Sequence, residues 1–281
     1  MVSVKAVPPL SLAISPCPND TFVFHGLVHG LVPGAPPVDV TYADVDVTNT
    51  LAARGGYDLV KVSYAALPWL LDKHVLLPCG GALGRGVGPL VVVRDPEATP
   101  TLAGKRIAVP GDRTTAYLLM RLWAAGAPPA HVAVLPFPKI MPEVAHGRYD
   151  AGLVIHEARF TYQRHGLHAL VDLGQWWETE TGLPIPLGAV LARRGGVDPE
   201  TAAEWIRDSL RLAWADPEAT QEYVLAHAQE LEPRVVSQHI ELYVNAFTEN
   251  LGAEGYGAVE ALLRRAAEVG LTPPLPVPLR S

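Results

Sequence analysis

The sequence predicts an α/β protein with largely parallel, fully covered sheets, and three observations carry that expectation. Short apolar runs end in turns rich in Pro, Gly, Asn, Asp or Ser. A segment with helical spacing of its apolar residues follows each turn, and the alternation recurs along the chain. Strands that alternate with helices pair in parallel and are buried on both faces. At 281 residues the chain has room for two modest lobes, each with its own core.

LSLAIS (10–15) is the first strand, bounded by turn residues, and TFVFHGLVHGLV (21–32) reads as the helix after it, with Asn19, Asp20 and Thr21 as candidate N-caps. VDVTYADV (38–45) is the next strand. In YDLVKVSYAALPWLL, Asp58 to Val62 is strand-like, Ser63 can cap, and Tyr64 to Leu71 reads as helical across Pro68. A glycine-rich approach, GRGVG, leads into the apolar run PLVVV. The clearest unit is KRIAVPGDRTTAYLLMRLWAAGA: a strand stops at Pro110-Gly111, a helix opens at Thr114 or Thr115, and it ends near Gly126. RYDAGLVIHEARF reads as a strand ending at a histidine, and LPIPLGAVLARR as a strand able to return to the first lobe. From Asp198 onward the pattern is helical.

The composition narrows the function classes. With 49% hydrophobic and 18% charged residues the chain is a compact globular protein. The net charge is −7, and the 22 Lys and Arg form no basic stripe, which argues against a nucleic-acid surface or an anionic membrane and for a small-molecule partner. The first fifteen residues lack the apolar core of a leader, and no run is long enough to span a bilayer, so a cytoplasmic protein is expected. Cys17 and Cys79 are then free thiols. The 27 prolines and 25 glycines are dispersed, marking turns and not a linker.

Ligands of open α/β sheets bind beyond the carboxyl ends of the strands. That rule directs attention to SPCPND, KVS, PGDRTT and the end of VIHE. The first three lead into helix N-termini, whose free N–H groups suit an anion such as a carboxylate.

Taken together and in order, SPCPNDTF, KVSYAAL, GGALGRGVGPLVV, VPGDRTTAY, IHEARFTY and DLGQWWETETGLPIPLGAVLARR resemble the 1,4-dihydroxy-6-naphthoate synthases of the futalosine route to menaquinone, over nearly the whole chain. The resemblance implies a periplasmic-binding-protein-like fold, two α/β domains with the ligand cleft between them. Residues 1–94 and 190–281 would form a discontinuous larger domain and 95–189 a smaller one. It implies a carbon–carbon lyase that converts cyclic dehypoxanthinylfutalosine to 1,4-dihydroxy-6-naphthoate and dihydroxyacetone, with no redox cofactor and no metal. His156 would be the base, and Lys61, Val62, Ser63, Thr114 and Thr115 would contact a small carboxylate substrate. The competing readings are the chorismate dehydratase of the same pathway and a non-catalytic anion-binding protein. A homodimer is compatible with all three.

Each candidate has a plainer reading. A lone histidine at a strand end is commonly structural; the position of His156 beyond a strand's carboxyl end and the resemblance favour a base, since a neutral imidazole accepts a proton near neutral pH. Glu157 is not paired with it, because adjacent strand residues face opposite ways. HEARF lacks the second histidine of a zinc-protease motif. Ser63, Thr114 and Thr115 can serve as caps and still bind, since a cap uses only part of a hydroxyl's capacity. Asn19 and Asp20 are equally open as caps or as cleft residues. Cys17 has no adjacent histidine in its motif and is expected to be a packed thiol. His25 and His29, four apart, lack a third metal ligand. Trp176 and Trp177 are open as cleft-lining residues, with core or interface packing the plainer reading, and Gly84, Gly86 and Gly88 do not form a dinucleotide fingerprint because no strand feeds them into a helix.

Overall fold

The computed structural model describes residues 8–228 and 232–280; residues 1–7, which begin the segment read above for a leader, lie outside them. In chain order the elements are β1 (Leu10–Ile14), α1 (Pro18–Val28), β2 (Val38–Tyr42), α2 (Val45–Arg54), β3 (Leu59–Ser63), a 3-10 turn (Tyr64–Trp69), β4 (His74–Leu76), β5 (Ala82–Gly84), β6 (Leu90–Val93), β7 (Arg106–Val109), α3 (Thr115–Trp123), β8 (His131–Val134), α4 (Phe137–Ala145), β9 (Ala151–Val154), α5 (Ala158–Thr161), β10 (His168–Asp172), α6 (Leu173–Thr181) and β11 (Ile185–Arg193). The helices α7 (Pro199–Ala215), α8 (Gln221–His227), α9 (Pro233–Tyr243), α10 (Ala246–Glu249) and α11 (Gly252–Glu268) complete the chain.

These strands form two sheets, one in the order β2-β1-β3-β11-β4 with β5 also on β11, the other in the order β10-β6-β9-β7-β8. Within each lobe the strands linked by helices are parallel, as expected: β1 with β2 and β3, and β7 with β8 and β9. The sheets are nevertheless mixed. β11 runs antiparallel to β3, β4 and β5, and β6 runs antiparallel to β9 and β10. Both β6 and β11 enter from the opposite lobe, so no local crossover helix sets their direction.

The same two strands shift the expected domain division. β6 already pairs in the second sheet, so the chain changes lobes before Leu90 and not at 94/95; β11 is in the first sheet from Ile185, before the expected 189/190. The runs Leu90–Val93 and Ile185–Ala192 are apolar on both faces, and a continuous apolar run does not tell which of two cores will bury it.

Both faces of each sheet are covered. On one face of the first sheet, Leu12 and Ile14 pack with Phe22, Phe24 and Leu27 of α1 and Ile206 and Leu210 of α7; on the other, Val60 and Val62 pack with Leu67, Leu71 and Val259. The second sheet packs Ile107, Val109 and Leu153 against Leu119 of α3 and Trp177 of α6, and Ala108, Val92 and Val154 against Ile140 and Val144 of α4. The C-terminal helices touch both lobes: Val259 and Leu263 of α11 join the first core, Leu262 and Ala266 the second.

Two local details differ from the sequence expectation. The N-cap of α1 is Cys17, without a side-chain cap bond, because Pro18 takes the first helical position; Asn19, Asp20 and Thr21 therefore lie inside the first turn. The segment after Ser63 is a 3-10 turn and not an α-helix, since Pro68 lacks the N–H that a longer helix would use. Thr114 does cap α3, accepting from the Tyr117 N–H at 3.2 Å.

The loop into β6 is held against the start of α6 by a close backbone approach. A Cβ at Gly174 would stand 1.7 Å from the Val87 carbonyl oxygen. Gly174→Ala is expected to destabilise the fold by about 1–3 kcal/mol, the usual penalty for overpacking, read as a lower urea midpoint; an unchanged midpoint would show that this loop yields freely.

Candidate active site

The site is built from the ends of strands in both lobes. β1 runs into the turn Ser15-Pro16-Cys17 and then α1, whose first turn carries Asn19 and Asp20; β3 carries Lys61 and Ser63; β7 leads to the capped start of α3; and β9 ends just before Ile155 and His156. Residues from all four, with Leu187 and Gly188 of β11 and His239 and Tyr243 of α9, line a cleft that opens to solvent.

At its base lies a buried ion pair. Lys61 Nζ donates to Asp20 Oδ1 at 2.6 Å and to the Gly80 carbonyl at 2.8 Å, and both side chains are nearly inaccessible. The other Asp20 oxygen accepts from Ser15 Oγ at 2.7 Å and from the Ser15 N–H at 3.3 Å, while Asn19 Nδ2 donates to Oδ1 at 2.8 Å. An ammonium has three N–H donors, so the two bonds from Lys61 leave one for the cavity it lines. The turn SPCPND thus builds a carboxylate nest for Lys61. Pro18 takes the first helical position of α1 and has no N–H, so the expected anion site at this helix start is already filled from within by Asp20.

The expected hydroxyls are partly consumed by the fold. Thr114 Oγ1 donates to the Gly111 carbonyl at 3.0 Å and caps α3. Thr115 Oγ1 donates to the Leu187 carbonyl at 2.7 Å and accepts from the Ala65 N–H at 3.2 Å, tying α3 to β11 and to the 3-10 turn. What remains for a ligand at this end is the start of α3 itself, where the first N–H groups of a helix have no intrahelical acceptor. Ser63 accepts from Asn49 Nδ2 at 3.2 Å, and its N–H donates to Asn49 Oδ1 at 2.8 Å, so its own hydroxyl hydrogen stays available. Val62 is the expected contact residue that the cavity does not include. It alternates with Lys61 and Ser63 along β3, and its side chain is wholly buried in the core on the other face.

His156 lies two residues beyond the end of β9 and is half-buried, with a backbone φ of 51°; it is the one non-glycine residue with positive φ among the described residues. Held conformations of this kind gather at functional sites. Its ring meets Phe137 edge-on, with centroids 5.5 Å apart, and stands 6.3 Å from the ring of His239. Burial depresses the proton affinity of His156 below the ordinary histidine value; the charges of Asp20 and Asp44 work against that and Lys61 with it. The imidazole is therefore neutral at neutral pH and able to accept a proton.

Cys17 is buried, and its thiol is pushed well above the usual value by burial and by Glu157, so it is no nucleophile near pH 7. Its sulfur, a His156 nitrogen and a Glu157 oxygen come within 4.8 Å of one another, the one such group among the described residues, and a cation there would first have to displace the thiol proton. Glu157 thus comes near His156 after all, because the chain leaves the strand at Ile155 and adjacent residues no longer alternate. The rings of His25, on α1, and of His29, its C-cap, lie tilted 4.4 Å apart and do not line the cavity.

His239 and Tyr243 were not anticipated. They stack at 4.5 Å, one helical turn apart on α9, on the same buried stripe as Val235 and Val236. The available signal was a histidine in the apolar stripe of an amphipathic helix, which reads equally well as a packed residue.

Comparison with known proteins places these residues in context. The menaquinone biosynthesis family matches residues 10–268. A Streptomyces coelicolor protein named 1,4-dihydroxy-6-naphtoate synthase is 59% identical over 271 residues, covering 95% of each chain; a Thermus thermophilus protein of the same name is 50% identical over 272 residues, covering 96% of this chain and 98% of its own. Among solved structures, an Archaeoglobus fulgidus protein superposes with a TM-score of 0.87 at 32% identity, covering 94% of this chain and 98% of its own. The alkanesulfonate-binding protein SsuA from Xanthomonas axonopodis, bound to MOPS, superposes with a TM-score of 0.70 at 17% identity, covering 96% of each chain, which shows a shared two-lobed binding-protein fold.

The ion pair sets a stability test. Asp20→Asn leaves the Lys61 ammonium buried without a counter-charge and is expected to cost about 3–5 kcal/mol in denaturant unfolding, whereas Asp20→Asn combined with Lys61→Met should recover most of that loss. Additive losses would mean that the two charges do not depend on each other.

Proposed function

The chain belongs to the menaquinone biosynthesis family, and we propose that it is the naphthoate-forming lyase of that pathway, cleaving cyclic dehypoxanthinylfutalosine to 1,4-dihydroxy-6-naphthoate and dihydroxyacetone. The observation that carries this reading is the identity of 59% and 50%, over nearly the full length, to two proteins of that name. The same names favour it over the dehydratase and over a protein that only binds an anion. We place its work in the cytoplasm, where two buried thiols, Cys17 and Cys79, stay reduced; no helix of the described residues is long and apolar enough to cross a membrane.

In this reading the substrate carboxylate lies against the remaining N–H of Lys61 and the N-terminus of α3, which supply positive potential without a mobile counter-ion. His156 accepts the proton from the acidic carbon next to the bond that breaks. The electron pair left on carbon drives cleavage, and formation of the aromatic ring pulls the sequence forward. Two opposed effects suit His156 to the task. Burial keeps the resting ring neutral and hence basic, while the carboxylates of Asp20 and Asp44 stabilise the imidazolium once it forms.

Incubation with cyclic dehypoxanthinylfutalosine should yield the naphthoate by mass spectrometry, and ligand binding without product would reject the lyase. His156→Asn should lower kcat by about 10²–10⁴-fold, the range for loss of a general base, with an unaltered melting temperature; full turnover in this variant would remove His156 from the mechanism. Because the folded His156 titrates below its ordinary 6.5, the base form persists as pH falls through 6.5 and is lost only at lower pH. The acid limb of kcat/KM should therefore lie below pH 6.5, and a limb above that value would contradict a desolvated base.

A further inference from the structure

We propose that His239 is a ligand-binding residue of the cleft, and that its Nδ1 accepts a hydrogen bond from a hydroxyl on the sugar-derived part of the substrate. The inference rests on the lyase reading above and deepens it. It begins with hydrogen bookkeeping along one chain of contacts. Lys61 Nζ and Asn19 Nδ2 both reach Asp20 Oδ1, at 2.6 and 2.8 Å. A carboxylate paired with an ammonium only accepts, so Asn19 must turn its NH2 toward Asp20. Its carbonyl oxygen then faces His239 Nε2, 3.0 Å away. A carbonyl also only accepts, so Nε2 carries the hydrogen. In a neutral ring Nδ1 is then bare, a fixed acceptor.

That acceptor is unsatisfied. His239 is 1% exposed and lines the cavity, and its Nδ1 has no hydrogen-bond partner among the described residues. Burial and the neighbouring His156 lower the proton affinity of the ring well below the ordinary value, which keeps it neutral. Stacking on Tyr243 fixes the plane of the ring. Buried polar atoms are nearly always partnered, and the partner required here is a donor. An ionised carboxylate cannot be that partner, since it only accepts. The partner Nδ1 requires is therefore a hydroxyl near the base, with the His239 and His156 rings 6.3 Å apart. A hydroxylated substrate fragment fits this requirement, and a bare aromatic acid does not.

The test compares cyclic dehypoxanthinylfutalosine with analogues lacking single hydroxyls of the sugar-derived part, on the wild-type enzyme and on His239→Phe. Loss of a hydrogen bond to a buried acceptor predicts that His239→Phe lowers kcat/KM about 10- to 100-fold on the natural substrate. The variant should differ little from wild type on the analogue missing the bonded hydroxyl. Equal losses on every substrate overturn the proposal and leave His239 structural. A wild-type enzyme that forms no naphthoate overturns the lyase reading and this inference with it. A second measurement does not depend on the variant's folding. In ¹⁵N-histidine-labelled His156→Asn protein, which holds substrate unturned, His239 should show a protonated Nε2 and an unprotonated Nδ1 whose resonance moves when cyclic dehypoxanthinylfutalosine is added. A protonated Nδ1, or a resonance that substrate leaves in place, also overturns it.

Discussion

The contact on which the rest of the cleft depends is the ion pair of Lys61 and Asp20. Removing two charges from water costs several kcal/mol per ion, and the expense is recovered only where further hydrogen bonds saturate both partners. Here they do. The carboxylate takes the Ser15 hydroxyl and N–H, the Asn19 amide and the ammonium; the ammonium also takes the Gly80 carbonyl. Asp20 further sits in the first turn of α1, where the helix favours negative charge. One carboxylate therefore joins the end of β1, the start of α1, the middle of β3 and, through Asn19, helix α9 at His239.

That arrangement accounts for the division of labour around the cavity. The first lobe supplies a pre-oriented cation whose counter-ion is already in place, so no charge has to be created or neutralised when a ligand carboxylate arrives. The second lobe supplies the start of α3 and the neutral imidazole of His156. Thr115 ties the two together, bonding both Leu187 of β11 and Ala65 of the 3-10 turn. A residue that looks like a ligand contact in isolation is thus a rivet at the floor of the cleft. His156 stands two residues beyond β9 with φ of 51°, a conformation the surrounding packing has to impose.

The two-lobed fold is shared with a protein that binds an alkanesulfonate, at 17% identity, so the fold alone does not decide between holding a ligand and breaking it. In the proposed reading, a neutral imidazole beside carboxylates that stabilise its protonated form serves as the base. The same cleft with only the lysine and the helix terminus would be an anion receptor.

Much of this was legible along the chain. Strand-turn-helix grammar marked β1, β3, β7 and β9 and the turns beyond them, because side-chain periodicity and turn residues act locally. Lys61, Ser63, Thr114, Thr115, Asn19, Asp20 and His156 all line the cavity, since they lie at strand ends where α/β sheets bind ligands. The face of Val62 was not read, although period-2 alternation with Lys61 and Ser63 turns it into the core. Other features were decided only by tertiary structure. Whether Leu90–Val93 and Ile185–Arg193 join one sheet or the other depends on which partner strand is free, and a run apolar on both faces carries no such label. The partner of Asp20 is 41 residues away and that of Asn19 is 220 away. A hydrogen bond across such a separation leaves no local pattern, so the role of SPCPND as a nest for Lys61 and the presence of His239 in the cleft follow only once the chain has folded.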